Sequence, residues 1–225
     1  MNFLTTISDI KKILKIPIYG CIPWDVLTSC PGPPPKAPGV YIITTRSEKD
    51  QCDNSYVSPS PSLRPRFNHV TIRSWISAVP KMKLHGMFPT SLGIAEYLAQ
   101  FWLPDECIVY VGKASLGSKR QGLYGRIGAF FRHKLGASSP HKGGHWLPSL
   151  QDICCLRVWW SPTEQDTGAI QRECDVLKVF AGRTLAEISL PFANRDGRCI
   201  GLGRIKGNAL APQTCRQKSS PLPIR

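Results

Sequence analysis

The sequence predicts a small α/β domain organised around a short sheet. Three observations carry that expectation. Runs rich in β-branched and aromatic residues, at Gly39–Thr45, Cys107–Tyr110 and Ile153–Trp160, read as strands. Segments with apolar residues at helical spacing follow the second and third of those runs. Hydrophobic residues make up 42% of the chain, enough to pack a core, which excludes global disorder.

In chain order, Ile7 to Lys15 suits a short amphipathic helix. CPGPPPKAPG then forms a proline-rich connector that neither a helix nor a central strand tolerates. Residues 1–38 are therefore expected as an N-terminal segment ahead of the main domain, which spans 39–203. GVYIITT, from Gly39 to Thr45, is the first strand. Residues 46–66 are polar and rich in Ser and Pro, and read as loop. FNHVTIRSWISAV fits either a strand or a short helix, because its periodicity does not decide. PTSLGIAEYLAQFWLP is a helix. Thr90 or Ser91 caps it, Leu92, Ala95, Leu98 and Phe101 with Trp102 recur at helical spacing, and Pro104 stops it.

The second strand lies in ECIVYVGKAS, and Gly112 breaks it just past Tyr110. A glycine there lets backbone approach a ligand closely, with the Tyr110 phenol and the Lys113 ammonium beside it. LYGRIGAFFRHKLG places Leu123, Ile127, Phe130 and Phe131 on a helical stripe, with Gly136 as the C-cap. SSPHKGGHW is loop. ICCLRVWW is the third strand, with Cys154 and Cys155 as strand core. SPTEQDTGAIQRECDVLKVFAG is the clearest helix: Thr163 with Asp166 resembles a capping box, and Gly182 suits the exit. The last 22 residues, from Arg204, hold five basic and no acidic side chains and are expected as a loose tail.

Charge narrows the partners. Lys plus Arg number 29 against 15 Asp plus Glu, a net charge of +14, which favours polyanions, nucleic acid first and an anionic membrane surface second. The nine cysteines are odd in number, irregularly spaced and free of any Cys-x-x-Cys pair. That argues against a disulfide framework and a zinc ribbon, and for mostly reduced thiols. MNFLTTISDIKKILK carries Asp9 and three lysines and so does not read as a signal peptide. No apolar run approaches the roughly 20 residues that span a membrane. The expectation is a cytoplasmic protein without a membrane partner.

Two helices carry charge where apolar residues belong. Glu173 lies within the stripe of Ala169, Val176, Leu177 and Phe180, with Ile170 at its border. A partly buried carboxylate needs compensation by an ion pair or a metal, and the pattern supports both alike. Arg126 sits between Leu123 and Ile127, with His133 on the same face two turns on. There a guanidinium suits a phosphate and an imidazole suits proton transfer, although the pattern alone favours a snorkelling Arg and a surface His. His141 and His145 are four residues apart, but the two glycines between them suit a loop in contact with substrate better than a metal-binding helix.

Five short motifs occur in one order: GVY at Gly39–Tyr41, YVG at Tyr110–Gly112, RIGAFF from Arg126, AIQRECDVLK at Ala169–Lys178, and LPFAN ending at Asn194. Together they resemble the GIY-YIG nucleases, over about residues 39–195. The resemblance implies a three-stranded antiparallel sheet flanked by helices, with 46–105 as an insertion between the two tyrosine motifs. By the same resemblance, Glu173 holds one divalent metal, Mg²⁺ or Mn²⁺, and Tyr41 or Tyr110 acts as base toward water. Lys113 adds charge, Arg126 steadies the scissile phosphate, Asn194 helps fix the site, and His133 stands in for a family histidine. The expected function is a restriction-like, metal-dependent DNA endonuclease acting on double-stranded DNA, with a homodimer as a further expectation. The alternative is a cleavage-inactive basic module that binds nucleic acid.

Overall fold

The structure is a computed structural model and describes residues 5–23, 33–45, 65–103, 106–117, 121–133, 145–183, 190–194, 196–197 and 203–204. In chain order the elements are α1 (Ile7–Leu14), β1 (Tyr19–Pro23), β2 (Gly39–Thr45), α2 (His69–Ala78), α3 (Ser91–Ala99), β3 (Ile108–Ala114), α4 (Gly122–Phe131), β4 (Leu156–Pro162) and α5 (Asp166–Arg183). Two-residue strands β5 (Asp196–Gly197) and β6 (Gly203–Arg204) pair with each other. The main sheet is antiparallel with the order β1-β4-β2-β3. The fold is α+β as expected, but the sheet has four strands where three were expected. The fourth is β1, from the N-terminal segment. It carries a glycine and a proline and so lacked a strand signature, yet an edge strand tolerates both.

Strand β2 lies between β4 and β3, and its β-branched run is buried almost throughout, as a central strand requires. Its alternation divides the core. Tyr41 and Ile43 face one side, with Leu156, Val158 and Trp160 of β4 and Leu123, Ile127 and Phe130 of α4. Val40 and Ile42 face the other, with Trp159 of β4, Ile7 and Ile10 of α1, and Val176, Leu177 and Phe180 of α5. Helices α2 and α3 extend the first core with Ile72, Trp75, Ile94 and Leu98. Burying each such large side chain stabilises the fold by roughly 1.5–3 kcal/mol. Sandwiching the sheet between two apolar layers is what fixes its register.

Strand β3 is the other edge. Ile43 pairs with Tyr110 and Thr44 with Ile108, so Val109 is the extra residue of a β-bulge. A turn at 191–194 covers this edge: Ala193 N–H donates to the Val109 carbonyl at 2.8 Å, and Asn194 N–H donates to the Pro191 carbonyl at 2.8 Å. Covering the edge removes unpaired backbone groups that would otherwise invite another strand.

The undecided stretch from Phe67 is helical: Asn68 caps α2 by accepting from Thr71 N–H at 3.0 Å. Thr90 caps α3, accepting from Gly93 N–H at 3.0 Å. Its buried face is Ile94, Ala95, Tyr97 and Leu98, while Leu92, expected on the stripe, is exposed. The stripe of α5 is as expected, Ala169, Val176, Leu177 and Phe180. Three details around β4 and α5 differ. Ile153–Cys155 is a short 3₁₀ turn, so Cys154 and Cys155 are not strand core. Thr163 donates to the Gln165 carbonyl instead of capping, and Gly182 lies inside α5. Cys174 is disulfide-bonded, which departs from the reduced thiols expected, while Cys107, Cys154 and Cys155 are free. Gly136, His141, Pro104, residues 46–64 and the tail beyond Arg204 lie outside the described residues. No described helix is long and apolar enough to cross a membrane.

Candidate functional site

The opening glycine of the site has a steric cause. Gly112 pairs with Tyr41 across β2 and β3, and both phenols lean over it. A Cβ on Gly112 would lie 2.7 Å from Tyr41 Cζ, Tyr41 Oη and Tyr110 Cε1. Only a residue without a side chain leaves room for the pair. The two rings are 5.7 Å apart, and Phe130 of α4 stacks on Tyr110 at 5.0 Å. Tyr41 and Tyr110 therefore meet, but against α4 and away from solvent.

Burial governs their chemistry. It pushes the Tyr41 phenol up, against the Arg126 guanidinium, whose positive charge favours ionisation. It pushes Tyr110 well up too, and the neighbouring Tyr41 adds to the rise. The Tyr41 hydroxyl makes no hydrogen bond within normal geometry, even with Tyr110 and Arg126 close by. Phenols with raised pKa values are proton donors at neutral pH, the opposite of what a general base needs.

Glu173 approaches from the other side of the sheet. Lys113 pairs with Val40 in the β2–β3 register, so its side chain leaves on the α5 face, opposite Tyr41. Its ammonium lies 2.8 Å from Glu173 Oε2. The acid in the apolar stripe of α5 is thus compensated by an ion pair, the first of the two alternatives its pattern left open, with a lysine as the partner. The Glu173 side chain is 16% exposed and that of Lys113 is 42% exposed, so water reaches the pair mainly from the lysine end. The Glu173 charge still raises both phenols, and Arg126 lowers both. Tyr41 of β2 and Tyr110 of β3 therefore sense the charges of Arg126 on α4 and Glu173 on α5.

Asn194 acts on the strand itself. Its Oδ1 accepts from Val111 N–H at 2.8 Å and its Nδ2 donates to the Val111 carbonyl at 2.7 Å. The buried amide thus satisfies both outward backbone groups of the residue between Tyr110 and Gly112. It is a positioning residue for the site. Asp166, read from sequence as a helix cap, does a similar job: its Oδ1 accepts from Leu116 N–H at 2.9 Å and ties down the loop after β3. Nothing in the spacing of Asp166 and Leu116 signalled that contact.

His133 follows α4 and belongs to a different cluster. Its Nε2 lies 2.6 Å from His145 Nδ1, the two rings stack, and Trp75 meets His145 edge-on at 5.1 Å. Burial lowers His133, and burial together with His133 lowers His145 to about 4. Both rings are neutral at pH 7, sharing one hydrogen bond. His145 is therefore packed against α2, where a loop in contact with substrate had been expected.

Among the described residues, no group of three or more His, Cys, Asp or Glu is arranged to hold a metal ion. The donor chemistry at Glu173 fits a narrower mode. Mg²⁺ is commonly held by one or two carboxylates, the remaining oxygens coming from substrate phosphate and water. No family model matches this chain, and no match to it is found among curated proteins or solved structures.

Proposed function

We propose that the protein is a phosphodiester hydrolase that cuts double-stranded DNA, of the GIY-YIG type that its five ordered motifs resemble, with a restriction-like role. The observation that carries this reading is the meeting of Tyr41 with Tyr110 over Gly112, with Arg126 and Glu173 close enough to shift both phenols. A net charge of +14 suits a polyanionic substrate.

Each residue has a part. Arg126, on the exposed side of α4, offers a guanidinium to the scissile phosphate, where negative charge grows in the transition state. Tyr41 and Tyr110, kept protonated by burial, donate hydrogen bonds toward the phosphate or the attacking water. Glu173 would hold Mg²⁺ or Mn²⁺ after giving up its bond to Lys113, and Lys113 is then free to meet a phosphate oxygen. When bound, the cation supplies charge neutralisation at phosphorus and activation of water. Asn194 keeps the β3 backbone in place while this happens.

One observation favours the second reading, a basic module that binds nucleic acid without cutting it. The carboxylate of Glu173 is occupied by Lys113, an arrangement that is complete without a metal. Plasmid incubated with Mg²⁺ or Mn²⁺ separates the two. Nicked or linear product supports the hydrolase, whereas binding with no product on any DNA form supports the module.

A further inference from the structure

The insertion presents an apolar tip on a basic background. Leu84 and Met87 form an antiparallel bridge, Leu84 N–H donating to the Met87 carbonyl at 2.9 Å and Met87 N–H to the Leu84 carbonyl at 3.1 Å. Between them His85 and Gly86 have φ of 51° and 81°, the left-handed pair of a tight hairpin turn. Beside this turn Met87 is 70% exposed and Phe88 72% exposed. Two neighbouring apolar side chains of that size standing in water mark an interaction point.

The tip is braced from behind. His85 meets Tyr97 edge-on at 5.9 Å, Tyr97 meets Phe101 at 5.2 Å, Phe101 meets Trp146 at 5.2 Å, and Trp146 meets Phe192 at 5.5 Å. Phe192 is two residues from Asn194, the clamp on β3. The aromatic ladder thus joins the tip to the body that carries the phenols.

Charge indicates what the tip meets. From Pro65 to Ala95 the sequence has no Asp or Glu, against Arg66, Arg73, Lys81 and Lys83. Arg66 is engaged by Asp152 at 2.9 Å. Lys83 Nζ lies 3.1 Å from the Phe88 ring centroid, a cation held directly against the exposed aromatic. An apolar point with one ammonium against its aromatic ring, and a second lysine two residues earlier in sequence, matches a base step flanked by phosphates. A membrane surface more commonly takes the long apolar face of an amphipathic helix.

We propose that Met87 and Phe88 form a wedge that enters a base step of duplex DNA, partly unstacking it, with Lys81 and Lys83 on the adjoining phosphates. This rests on DNA being the substrate and adds how the insertion would hold and bend it. The test uses the full chain and a negatively supercoiled plasmid in the absence of divalent metal. Unstacked thymines are mapped by permanganate and primer extension, and affinity is measured by filter binding. Wild-type protein is expected to make discrete thymines reactive. Met87→Ala/Phe88→Ala is expected to reduce that reactivity roughly tenfold, the scale of one lost stacking contact, with a much smaller change in filter binding. Both positions are exposed, so circular dichroism of the variant should match wild type. Equal reactivity in the two proteins overturns the proposal, as does wild-type binding with no reactive thymine. Vesicles containing phosphatidylglycerol form a second arm. Vesicle binding that the variant loses, with plasmid behaviour unchanged, assigns the tip to lipid and also overturns it. No cleavage enters either readout, so an enzyme that fails to cut with Mg²⁺ sinks the hydrolase reading without deciding this one.

Discussion

Lys113 Nζ lies 2.8 Å from Glu173 Oε2, joining the end of the Tyr-Val-Gly-Lys strand to the half-buried acid in the stripe of α5. The contact crosses from β3 to the helix on the opposite face from the phenols. It makes the carboxylate tolerable without a metal, and on the proposed reading an ammonium and a divalent cation would compete for the same oxygen.

That competition is measurable. Lys113→Met should raise the affinity of the protein for Mn²⁺, because the cation no longer displaces a bound ammonium. Isothermal titration in the absence of DNA is the check. Unchanged or weaker Mn²⁺ binding would count against Glu173 as the metal ligand.

Tyr41→Phe separates chemistry from folding. The Tyr41 hydroxyl is buried and has no hydrogen bond of normal geometry, only Tyr110 and Arg126 close by, so its removal should change stability little. Cutting should fall strongly if the hydroxyl serves the phosphate or the water. Urea unfolding and plasmid cleavage on the same preparation test both halves. Gly112→Ala is the steric counterpart. Its new Cβ would meet Tyr41 Oη at 2.7 Å, and the overpacking should cost about 1–3 kcal/mol in the same urea assay.

Alkaline pH should reveal the buried phenols. Folding raises both above the ordinary value of 10.0, so the unfolded chain loses those protons first as pH rises. Their contribution to stability is whole below pH about 10 and is lost as pH climbs through the folded values. Tyr41→Phe should blunt that alkaline loss, as followed by urea midpoints at pH 9 and above.

Much of this architecture was legible because it rests on local pattern. The α5 face of Ala169, Val176, Leu177 and Phe180 was readable, since an amphipathic helix announces its buried side by spacing alone. Strand β1 was not, because YGCIP has no strand signature and exists by pairing with β4. Leu92 looked like core but is exposed, as packing of α3 against α2 selected Ile94 and Leu98. At the site, residue types and order were readable, while their partners were not. Pairing of Glu173 with Lys113 depends on a β2–β3 register that sends Lys113 to the α5 face. The pairing of His133 with His145 joins residues twelve apart whose contact no spacing in the sequence signals.

Acid should weaken the His133–His145 cluster. Burial depresses His145 from 6.5 to about 4, so the unfolded chain takes up its proton first as pH falls. The stability this group contributes is whole above pH 6.5 and is lost on the way down to about 4. The loss should be on the order of 1–3 kcal/mol, and His145→Phe should show less of it in urea unfolding at pH 7 and pH 5.

Positioning by Asn194 predicts a local signature. Asn194→Ala leaves the Val111 N–H and carbonyl without their partners and should cost roughly 1–3 kcal/mol. Hydrogen exchange at the Val111 amide should accelerate more than at Val40 or Ile42 in the central strand. Equal acceleration at all three would mean a general loss of stability instead of a released edge.

The most direct test is cleavage of supercoiled plasmid with Mg²⁺ by wild-type protein and by Glu173→Gln, with DNA affinity measured in parallel. The account predicts nicked or linear product from wild type, none from Glu173→Gln, and nearly equal affinity for the two. Cleavage by Glu173→Gln at the wild-type rate would contradict it.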